Sequence, residues 1–420
     1  MEKPDILVIG GGGREHAIVH ALKKSPRAGR IYCAPSNAGI DEEAEGVALA
    51  VSDFKGILAF LAGHPRIGLT FVAPDNPLAD GLVNLLEEHG HRAFGPRAEA
   101  AVIEASKKFS KQLMKENHIP TAAYETFADY KKAEEYVLSA KYPLVVKADG
   151  LAYGKGVTIC RHPAEALKAL KDIMLDDVFG NHNPCVVIEE FLTGREVSVL
   201  AFTDGRTIKT MPSSQDHKRA YDGDKGPNTG GMGAFSPSPY YTPEMDAYAK
   251  EHIYLPTIEA LNRMGRTFKG VIYFGLMMCA DGIKVLEYNA RFGDPETQAV
   301  LPLLKTDLLE IIDAVLDEKL DTLDIEWSDR TAVTVVYASG GYPGKYEKGL
   351  PVTIGDVGEC YVYHAGTKLA DGKIVTNGGR VLCVTALGND IADARNKVYA
   401  ALNNIRVEGG FYRTDIGLKE

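Results

Sequence analysis

Three polar side chains alternate along a short segment near the middle of the chain's second half, and their types suit the binding of ions. The segment "VLEYNARFGDPE" begins as a plausible β-strand and then carries Glu287, Asn289 and Arg291 at every second position. On a strand these side chains share one face. Carboxylate and amide oxygens are ligands that Mg²⁺ accepts, and a guanidinium can hold a carboxylate or a phosphate with two hydrogen bonds. A solvated edge strand would show the same pattern, so the other segments must decide.

A run of four glycines, Gly10 to Gly13, follows the apolar segment "DILVI" and precedes a segment with helical spacing. At such a turn a phosphate can meet backbone N–H groups and the positive end of the helix dipole. The dinucleotide fingerprint is incomplete, because Glu15 occupies the position of its third glycine and the next strand, "RIYCAP", does not end in an acidic residue. A monophosphate or ribose-phosphate site and a purely structural turn both remain open.

The segment "VVKADGLAYGKGV" places Lys147 at the end of a strand and Lys155 in a glycine-rich turn before the next strand. It is not a Walker A loop, since Gly150 and Gly154 are one residue too close and Gly156 replaces the Ser or Thr. A glycine hairpin that carries a lysine can still close over phosphates through its backbone N–H groups. An ordinary hairpin turn is the alternative.

Acidic and polar residues cluster in two further segments. "VVIEEFLTGREVS" places Glu189, Glu190 and Glu196 around Phe191 and Leu192, where they could surround an adenine and its ribose or face solvent. "QDHKRAYDGDKGPNTGGMG" is the densest polar segment of the chain, and it lies between well-formed apolar elements. Because long polar loops inside compact regions usually carry function, we predict a functional loop there.

Composition narrows the classes of protein. The chain has 420 residues, too many for one core, and a net charge of −10 without a basic run, which argues against a nucleic-acid partner. The start is not typical of a secretory signal, and no apolar segment is long enough to span a bilayer, so we predict no membrane partner and a cytoplasmic location. Six scattered cysteines without CxxC spacing are expected to be reduced thiols rather than zinc ligands.

The order of elements predicts an α/β and α+β multidomain protein. Short strands alternate with helices over the first hundred residues, which indicates a parallel sheet with helices on both faces. A helical segment, "AEAAVIEASKKFSKQLMKENHIP", follows and ends at Pro120. A second unit of strands and helices begins near Thr121, and short β-rich segments with a final helix begin near Trp327.

Taken together, the quoted segments resemble the ATP-grasp superfamily and, within it, the phosphoribosylamine–glycine ligase family. The resemblance covers nearly the whole chain, including "GGGGREHA", "APSNAG", "EASKKFSK", "EEFLTG", "LEYNARFGDPETQ" and the terminal "YRTDIG". Its most specific part is "QDHKRAYDGDKGPNTGGMGAFSP". Two departures are Tyr153 in the glycine hairpin, where the family often has a small residue, and Asp75–Asn76, where "GPE" is common.

The resemblance implies three domains and a reaction. An N-terminal Rossmann-like α/β domain (1–104) would bind the ribose phosphate, an ATP-grasp domain (105–326) would contain a lid subdomain at about 121–192, and a small β-rich α+β domain (327–420) would complete the chain. The reaction would join glycine to 5-phosphoribosylamine through glycyl phosphate, converting ATP to ADP and phosphate in purine synthesis. ATP and Mg²⁺ or Mn²⁺ would be required.

The resemblance also assigns the site residues. ATP phosphates would lie against Lys107, Lys147, Lys155, Gly154 and Gly156, and adenine and ribose against Glu189, Glu190, Phe191, Leu192 and Glu196. The metal ligands would be Glu287 and Asn289, and the reacting groups would meet Arg291, Asp216, His217, Lys218 and Arg219. The substrates would contact Gly11, Gly12, Gly13, Arg14, Asn37, Asp75, Pro77, Asp216, Asn228, Thr229, Gly230, Gly231, Gly293 and Asp294.

Two alternative functions stay open at this point. Another ATP-grasp carboxylate–amine ligase or carboxylase would share the nucleotide motifs but should lack the "GPNTGGMG" segment. A dinucleotide-dependent oxidoreductase is suggested only by the glycine run. The sequence does not determine the oligomeric state, the preferred metal, or whether a transient partner supplies phosphoribosylamine.

Overall fold

The first hundred residues form a parallel sheet with helices packed against it. The computed structural model describes residues 3–151, 156–180 and 184–418. Its first sheet has the order β3-β2-β1-β4-β5 with parallel pairing throughout, which confirms the predicted topology. The strands are β1 (Asp5–Ile9), β2 (Ile31–Ala34), β3 (Glu45–Gly46), β4 (Ile67–Val72) and β5 (Ala93–Phe94), and the helices are α1 (Gly13–Lys23), α2 (Ile40–Glu43), α3 (Phe54–Gly63), α4 (Asp75–Ala79) and α5 (Leu82–Glu88).

The helical segment expected to run without a break to Pro120 is two helices, α6 (Ala98–Ala105) and α7 (Lys107–Glu116). Ser106 between them is extended, and its hydroxyl accepts a 3.1 Å hydrogen bond from the N–H of Phe109, which caps α7. The expectation of one helix was therefore wrong, because it overlooked a capping serine inside an apolar periodicity.

Two antiparallel sheets form the central region. The first has the order β6-β9-β7-β8 and the second the order β11-β10-β16-β17. The β7–β8 hairpin confirms the two strands predicted around the glycine-rich turn. The first group of elements is β6 (Tyr124–Phe127), α8 (Tyr130–Ser139), β7 (Leu144–Ala148), β8 (Val157–Cys160), α9 (Pro163–Met174) and β9 (Val186–Glu190).

The polar segment predicted as a long loop is largely paired strand. β12 pairs with β15 and β13 with β14, so the segment is folded into two antiparallel ladders. A π-helical turn at Lys250–Tyr254 joins the next two helices. The remaining central elements are β10 (Arg195–Thr203), β11 (Ile208–Thr210), β12 (Gln215–Asp216), β13 (Arg219–Tyr221), β14 (Lys225–Asn228), β15 (Gly233–Ser236), α10 (Pro243–Ala249), α11 (Leu255–Arg263), β16 (Gly270–Cys279), β17 (Gly282–Asn289), α12 (Glu296–Val300) and α13 (Leu308–Leu316).

The C-terminal region is antiparallel and includes strands from the polar segment. Its main sheet has the order β12-β15-β18-β23-β20, so β12 and β15 extend a sheet built mostly from residues beyond 330. The elements are β18 (Thr331–Ala338), β19 (Val352–Ile354), β20 (Tyr361–His364), β21 (Thr367–Ala370), β22 (Lys373–Thr376), β23 (Arg380–Gly388), α14 (Ile391–Leu402) and β24 (Ile405–Val407).

Shared apolar cores hold these regions together. One buried cluster contains Leu7, Leu113 and Phe274, and a second contains Ile18 and Tyr363. Both clusters draw residues from more than one region, so burial of apolar surface stabilises the regions against one another. No helix in the described part of the chain is long and apolar enough to cross a membrane.

Candidate active site

The alternating triplet of the sequence lies where β17 ends. Glu287 pairs with Gly275 and Asn289 with Tyr273 on β16, whereas Arg291 lies two residues beyond the strand. Partial burial raises the pKa of Glu287, but the positive charges of Lys218, Lys147 and Lys107 outweigh this effect and hold it below its usual value. The carboxylate is therefore kept ionised, and its side chain remains 35% exposed to a polar cleft.

Arg291 is held by a carboxylate that the motif did not contain. Its Nη2 donates to Glu104 Oε1 at 2.7 Å and to Asn289 Oδ1 at 3.0 Å. Glu104 Oε2 in turn accepts from the N–H of Ala290 at 2.6 Å. The Nε of Arg291 is buried and has no hydrogen-bond partner among the described residues. Sequence reasoning missed Glu104, although a lone acid within the apolar run "AAVIEA" was a signal.

Two buried lysines share the carboxylate of Glu189. Lys147 Nζ lies 3.0 Å from Oε1 and Lys111 Nζ lies 2.9 Å from Oε2. Burial lowers the pKa of Lys111 to about 8. The side chain of Glu189 is buried and directed at these two lysines, and its place beside adenine and ribose stays a prediction. Lys111 was not predicted, because only its position in the fold makes it a partner.

Lys107 lies at the start of α7, and its Nζ donates to the carbonyl of Gly150 at 2.8 Å. Burial lowers its pKa, while Glu287 opposes that effect. Gly156 is buried, and its carbonyl accepts from the N–H of Ala148 at the end of β7. The predicted contacts of Gly154 and Lys155 lie outside the described residues.

A small apolar cluster lies beside the segment that follows β9. Leu192 packs with Ala122 and Met277, and Cys279 and Leu286 border the group. Glu190 is exposed and accepts from the N–H of Ala123 at 2.9 Å, while Phe191 is 36% exposed. An apolar floor with exposed polar groups beside it is the usual character of a site for a planar base.

Lys218 bridges two carboxylates from different strands. Its Nζ lies 3.4 Å from Glu196 and 3.7 Å from Glu287, and the charge of Glu196 raises its pKa well above the usual value. Glu196 was expected beside a ribose, and in the structure it faces this lysine. Arg219 does not reach the cleft, since its Nη1 donates to the carbonyl of Gly226 inside the β13–β14 hairpin.

A pair of carboxyl groups, Asp216 and Glu296, occupies the interior of the cleft. Burial and the charge of Glu296 raise the pKa of Asp216 well above its usual value, and burial also raises the pKa of Glu296. The hydroxyl of Tyr273 donates to Glu296 Oε1 at 3.2 Å. Asp216 Oδ1 is buried without a hydrogen-bond partner in the described chain. Such a pair is suited to a cation, because a positive charge would let both groups ionise.

The polar segment approaches this pair closely at Gly231. Its φ is +114°, and a Cβ there would lie 2.8 Å from Asp216 Oδ1, so glycine is required on two counts. The N–H of Gly231 donates to Thr229 Oγ1 at 3.0 Å, and Thr229 also binds the carbonyl of Lys218. His217 is packed against Phe235, and burial lowers its pKa.

An arginine from the C-terminal sheet reaches the same cleft. Arg380 donates to the carbonyls of Gly230 and Asp294 at 2.8 and 2.9 Å, and it lies 3.2 Å from the carboxylate of Asp294. Burial raises the pKa of Asp294, but Arg380 and Arg14 lower it more. Gly293 lies next to Glu296. No local pattern pointed to Arg380, because it lies 86 residues from Asp294 in the chain.

The glycine run is a capped helix start. The N–H of Gly12 donates to Glu15 Oε2 at 2.7 Å. Glu15, which occupies the position of the third glycine in the dinucleotide fingerprint, therefore caps the start of α1. Arg14 is held by Glu15 at 2.7 Å and by the carbonyl of Phe292 at 3.1 Å. Gly11 and Gly13 flank Gly12, so the run lies close to the segment after β17.

Asn37 and the Asp75–Pro77 turn also border this side. The side-chain nitrogen and oxygen of Asn37 are both used internally. The amide donates to the carbonyls of Gly11 and His364, and the oxygen accepts from the N–H groups of Gly39 and Ile40. A side-chain contact from Asn37 to a substrate would require these bonds to break. Asp75 begins α4, near enough to Arg291 that its charge helps to raise the arginine's pKa, and Pro77 is buried.

Glu287 and Asn289 fit a hard divalent cation. They offer one carboxylate and one amide oxygen, and Mg²⁺ commonly takes one or two protein oxygens together with phosphates and water. Among the described residues no group of three or more His, Cys, Asp or Glu side chains could hold a metal ion by itself. The donor set therefore suits a metal brought in with a nucleotide.

The fold and this cleft define an ATP-grasp protein. Residues 105–297 match the ATP-grasp (A) domain of phosphoribosylglycinamide synthetase. The whole chain also superposes on a biotin carboxylase from Campylobacter jejuni, with a TM-score of 0.75 at 15% identity, covering 99% of this chain and 94% of the carboxylase. At that identity the likeness shows the fold alone.

Further matches identify the family. Residues 4–104 and 332–419 match the N and C domains of phosphoribosylglycinamide synthetase. A phosphoribosylamine–glycine ligase of Caldanaerobacter subterraneus subsp. tengcongensis is 48% identical over 98% of this chain and 99% of its own. The crystal structure of the Thermotoga maritima ligase superposes with a TM-score of 0.87 at 32% identity, covering 98% and 100% of the two chains. The chain belongs to the phosphoribosylglycinamide synthetase family.

Proposed function

We propose that the chain joins glycine to 5-phosphoribosylamine with ATP, giving glycinamide ribonucleotide, ADP and phosphate in purine synthesis. The observation that carries the proposal is a pairing of opposite charges inside one cleft. The guanidinium of Arg291 has a buried, unpartnered Nε within the described part of the chain, and Asp216 and Glu296 form a carboxyl pair nearby. A small zwitterion matches that arrangement, with its carboxylate on Arg291 and its ammonium on the pair.

The chemistry follows from the poor reactivity of a carboxylate. A carboxylate does not acylate an amine at neutral pH, so its oxygen must first be converted to a better leaving group. Transfer of the γ-phosphoryl group of ATP would give glycyl phosphate, which phosphoribosylamine attacks at the acyl carbon as phosphate leaves. The protein supplies positioning and charge stabilisation rather than a nucleophile.

Each part of the cleft has a task in this proposal. Lys107, Lys147 and Lys155 bind the ATP phosphates, and the apolar cluster around Leu192 holds the adenine beside Glu190 and Glu196. Glu287 and Asn289 bind Mg²⁺ or Mn²⁺, which would neutralise phosphate charge. The Gly11–Arg14 turn and Asp294 face the ribose-phosphate substrate.

The carboxyl pair has a further consequence for the reaction. An ammonium between Asp216 and Glu296 is stabilised in its protonated form, because both carboxyl groups can then ionise. A protonated amine has no lone pair and cannot attack an acyl phosphate. The carboxyl pair would therefore prevent the amine of glycine from reacting with glycyl phosphate. Lys218 lies two residues after Asp216 in sequence and faces Glu287, the proposed metal ligand.

The test combines substrate choice with trapping of the intermediate. ADP release is measured across amino acids, with and without freshly made phosphoribosylamine, and hydroxylamine is used to trap glycyl hydroxamate. We expect glycine alone to give hydroxamate, and glycine with phosphoribosylamine to give the ribonucleotide. ADP release with another amino acid, or with glycine and an unrelated amine only, would refute the proposal.

Arg291→Lys tests the position of the carboxylate. Lysine keeps the charge but loses the two-pronged geometry, so hydroxamate yield should fall far more than ATP binding. Arg266→Lys is the control, because the half-buried guanidinium of Arg266 donates to the carbonyl of Glu99 and lies over the ring of Phe109, away from Arg291 and the carboxyl pair. Equal hydroxamate yield from both variants would move the role of Arg291 to Lys218, which does reach the cleft.

A further inference from the structure

Three residues near the C-terminus hold the turn of the β13–β14 hairpin, and we call Arg413, Thr414 and Asp415 the C-terminal clamp. Arg413 is 2% exposed. Its guanidinium donates twice to the carboxylate of Asp415, at 2.7 Å each, and also to the carbonyl of Arg219 at 3.0 Å and to Asp224 Oδ1 at 2.9 Å. One buried guanidinium thus connects the C-terminal segment to the start of β13 and to the last residue before β14.

The other two clamp residues bind the tip of the same turn. The N–H and hydroxyl of Thr414 donate to the two oxygens of Asp222 at 2.8 and 2.5 Å. The N–H of Gly223 donates to Asp415 Oδ2 at 2.8 Å. Every residue from 222 to 224 is therefore bonded to the clamp, across 189 to 192 positions of sequence. The turn itself is exposed, so these bonds are its principal tertiary contacts in the described chain.

The hairpin is directly continuous with Lys218. Arg413 donates to the carbonyl of Arg219, the residue after Lys218. The carbonyl of Lys218 accepts from the N–H and hydroxyl of Thr229, directly after β14. A two-stranded hairpin is marginally stable without further contacts. Its position, and with it the reach of Lys218 toward Glu287, therefore depends on what holds its turn.

We propose that the C-terminal clamp is a set of positioning residues, which hold the hairpin so that Lys218 stays between Glu196 and Glu287. The inference rests on the proposed function, because it gives Lys218 a task in that cleft. On this proposal the terminal "YRTD" segment affects catalysis indirectly, because its side chains lie outside the cleft and act by positioning Lys218. The clamp contacts act on Lys218 through the backbone of the β13–β14 hairpin, whose turn they hold.

The test uses mild variants, since Arg413→Ala would leave two carboxylates without their cation and could unfold the region. Thr414→Val removes one hydrogen bond at constant shape, and Asp222→Asn weakens the same contact from the other side. Each should lower kcat about threefold to tenfold with the KM for ATP within twofold. The loss of kcat in the double variant should be smaller than the two single losses combined, because both substitutions weaken the same Asp222–Thr414 contact.

A second readout reports the hairpin itself. Lys225 is exposed at the tip, so trypsin cleavage after Lys225 in the folded enzyme measures opening of the turn. Both variants should be cleaved several-fold faster than the wild type, with unchanged unfolding midpoint. Thr322→Val is the control, since its hydroxyl binds only the carbonyl of Lys319, away from the hairpin.

The outcomes separate the inference from the proposed function. Faster cleavage with a non-additive loss of kcat supports the clamp. Faster cleavage with wild-type kcat, or additive losses, overturns it. Wild-type turnover by Lys218→Met would also overturn it while leaving the ligase reaction intact, whereas absence of ribonucleotide formation by the wild-type chain would refute the proposed function itself.

Discussion

Arg291 and Glu104 lie 187 residues apart in the chain and form a 2.7 Å ion pair whose two ends are largely buried. The other oxygen of Glu104 binds the N–H of Ala290, so one carboxylate fixes both the backbone before Arg291 and its guanidinium. The arginine is therefore held in one orientation before any substrate arrives, which reduces the entropy lost on binding.

Glu104→Gln should weaken catalysis by loosening Arg291. A charge-assisted hydrogen bond contributes about 1.5–3 kcal/mol, so kcat/KM for glycine should fall roughly 10- to 100-fold. The KM for ATP should change little. Steady-state ADP release at varied glycine checks this. Glu99→Gln, an exposed position on the same helix, should behave as wild type; a similar loss in both would assign the effect to the helix.

Glu287→Gln removes the carboxylate that we propose as the anionic metal ligand. We expect turnover to fall on the order of a hundredfold and the requirement for Mg²⁺ to rise, since the neutral amide binds a hard cation less well. Turnover is measured as a function of Mg²⁺ concentration. Asp281→Asn, in the exposed turn between β16 and β17, is the matched control. Wild-type turnover at limiting Mg²⁺ would exclude Glu287 as a ligand.

Lys111→Met tests the buried group around Glu189. The substitution leaves Glu189 with Lys147 as its one remaining lysine, so we expect a loss of about 2 kcal/mol in the free energy of unfolding. Lys147 would then be drawn more strongly to Glu189, which should raise the KM for ATP several-fold. Urea unfolding and nucleotide kinetics measure the two effects. Lys115→Met, on the exposed side of the same helix, should change neither.

His364 predicts a pH-dependent stability. Burial and the neighbouring His16 lower its pKa from 6.5 to about 4, and its Nδ1 lies 3.0 Å from the hydroxyl of Thr367. Between pH 4 and pH 6.5 the unfolded chain therefore binds more protons at this residue than the folded chain does. The contribution of neutral His364 to the free energy of unfolding is complete above pH 6.5 and is lost as the pH falls toward 4. The full loss is about 3 kcal/mol.

His364→Asn should flatten the fall in stability over that window. Glu43 also has a lowered pKa, because its hydrogen bonds to His16 and His20 outweigh the effect of burial. Its protonation lowers the stability of the fold at still lower pH, and this effect remains in the variant. Unfolding in urea is followed through Trp327, the single tryptophan, which packs against the same apolar cluster as Tyr363. His89→Asn, at an exposed position, is the control; an equal slope in all three proteins would contradict the assignment.

Local patterns gave the fold class and several parts of the site. The strand and helix alternation of the first hundred residues predicted the parallel sheet, and the alternation of Glu287 and Asn289 predicted their common direction. These features depend on backbone geometry and on the period of apolar residues, which neighbouring residues determine. Local patterns failed where a single side chain interrupted them, as Ser106 does between α6 and α7.

The sequence by itself determined the family, through segments spread over nearly the whole chain. It also determined the glycine turn and placed the predicted metal ligands Glu287 and Asn289 together, because each of these features is encoded within a few consecutive residues. Only the tertiary structure decided that Glu104 holds Arg291, that Glu296 meets Asp216, and that β12 and β15 complete the C-terminal sheet. The physical reason is that burial makes an unpaired charge costly, so a charged residue takes whichever partner the packing of distant elements brings within reach. The spacing of residues along the chain does not show which partner a buried charge will take, and these pairings determine the shape and charge of the cleft.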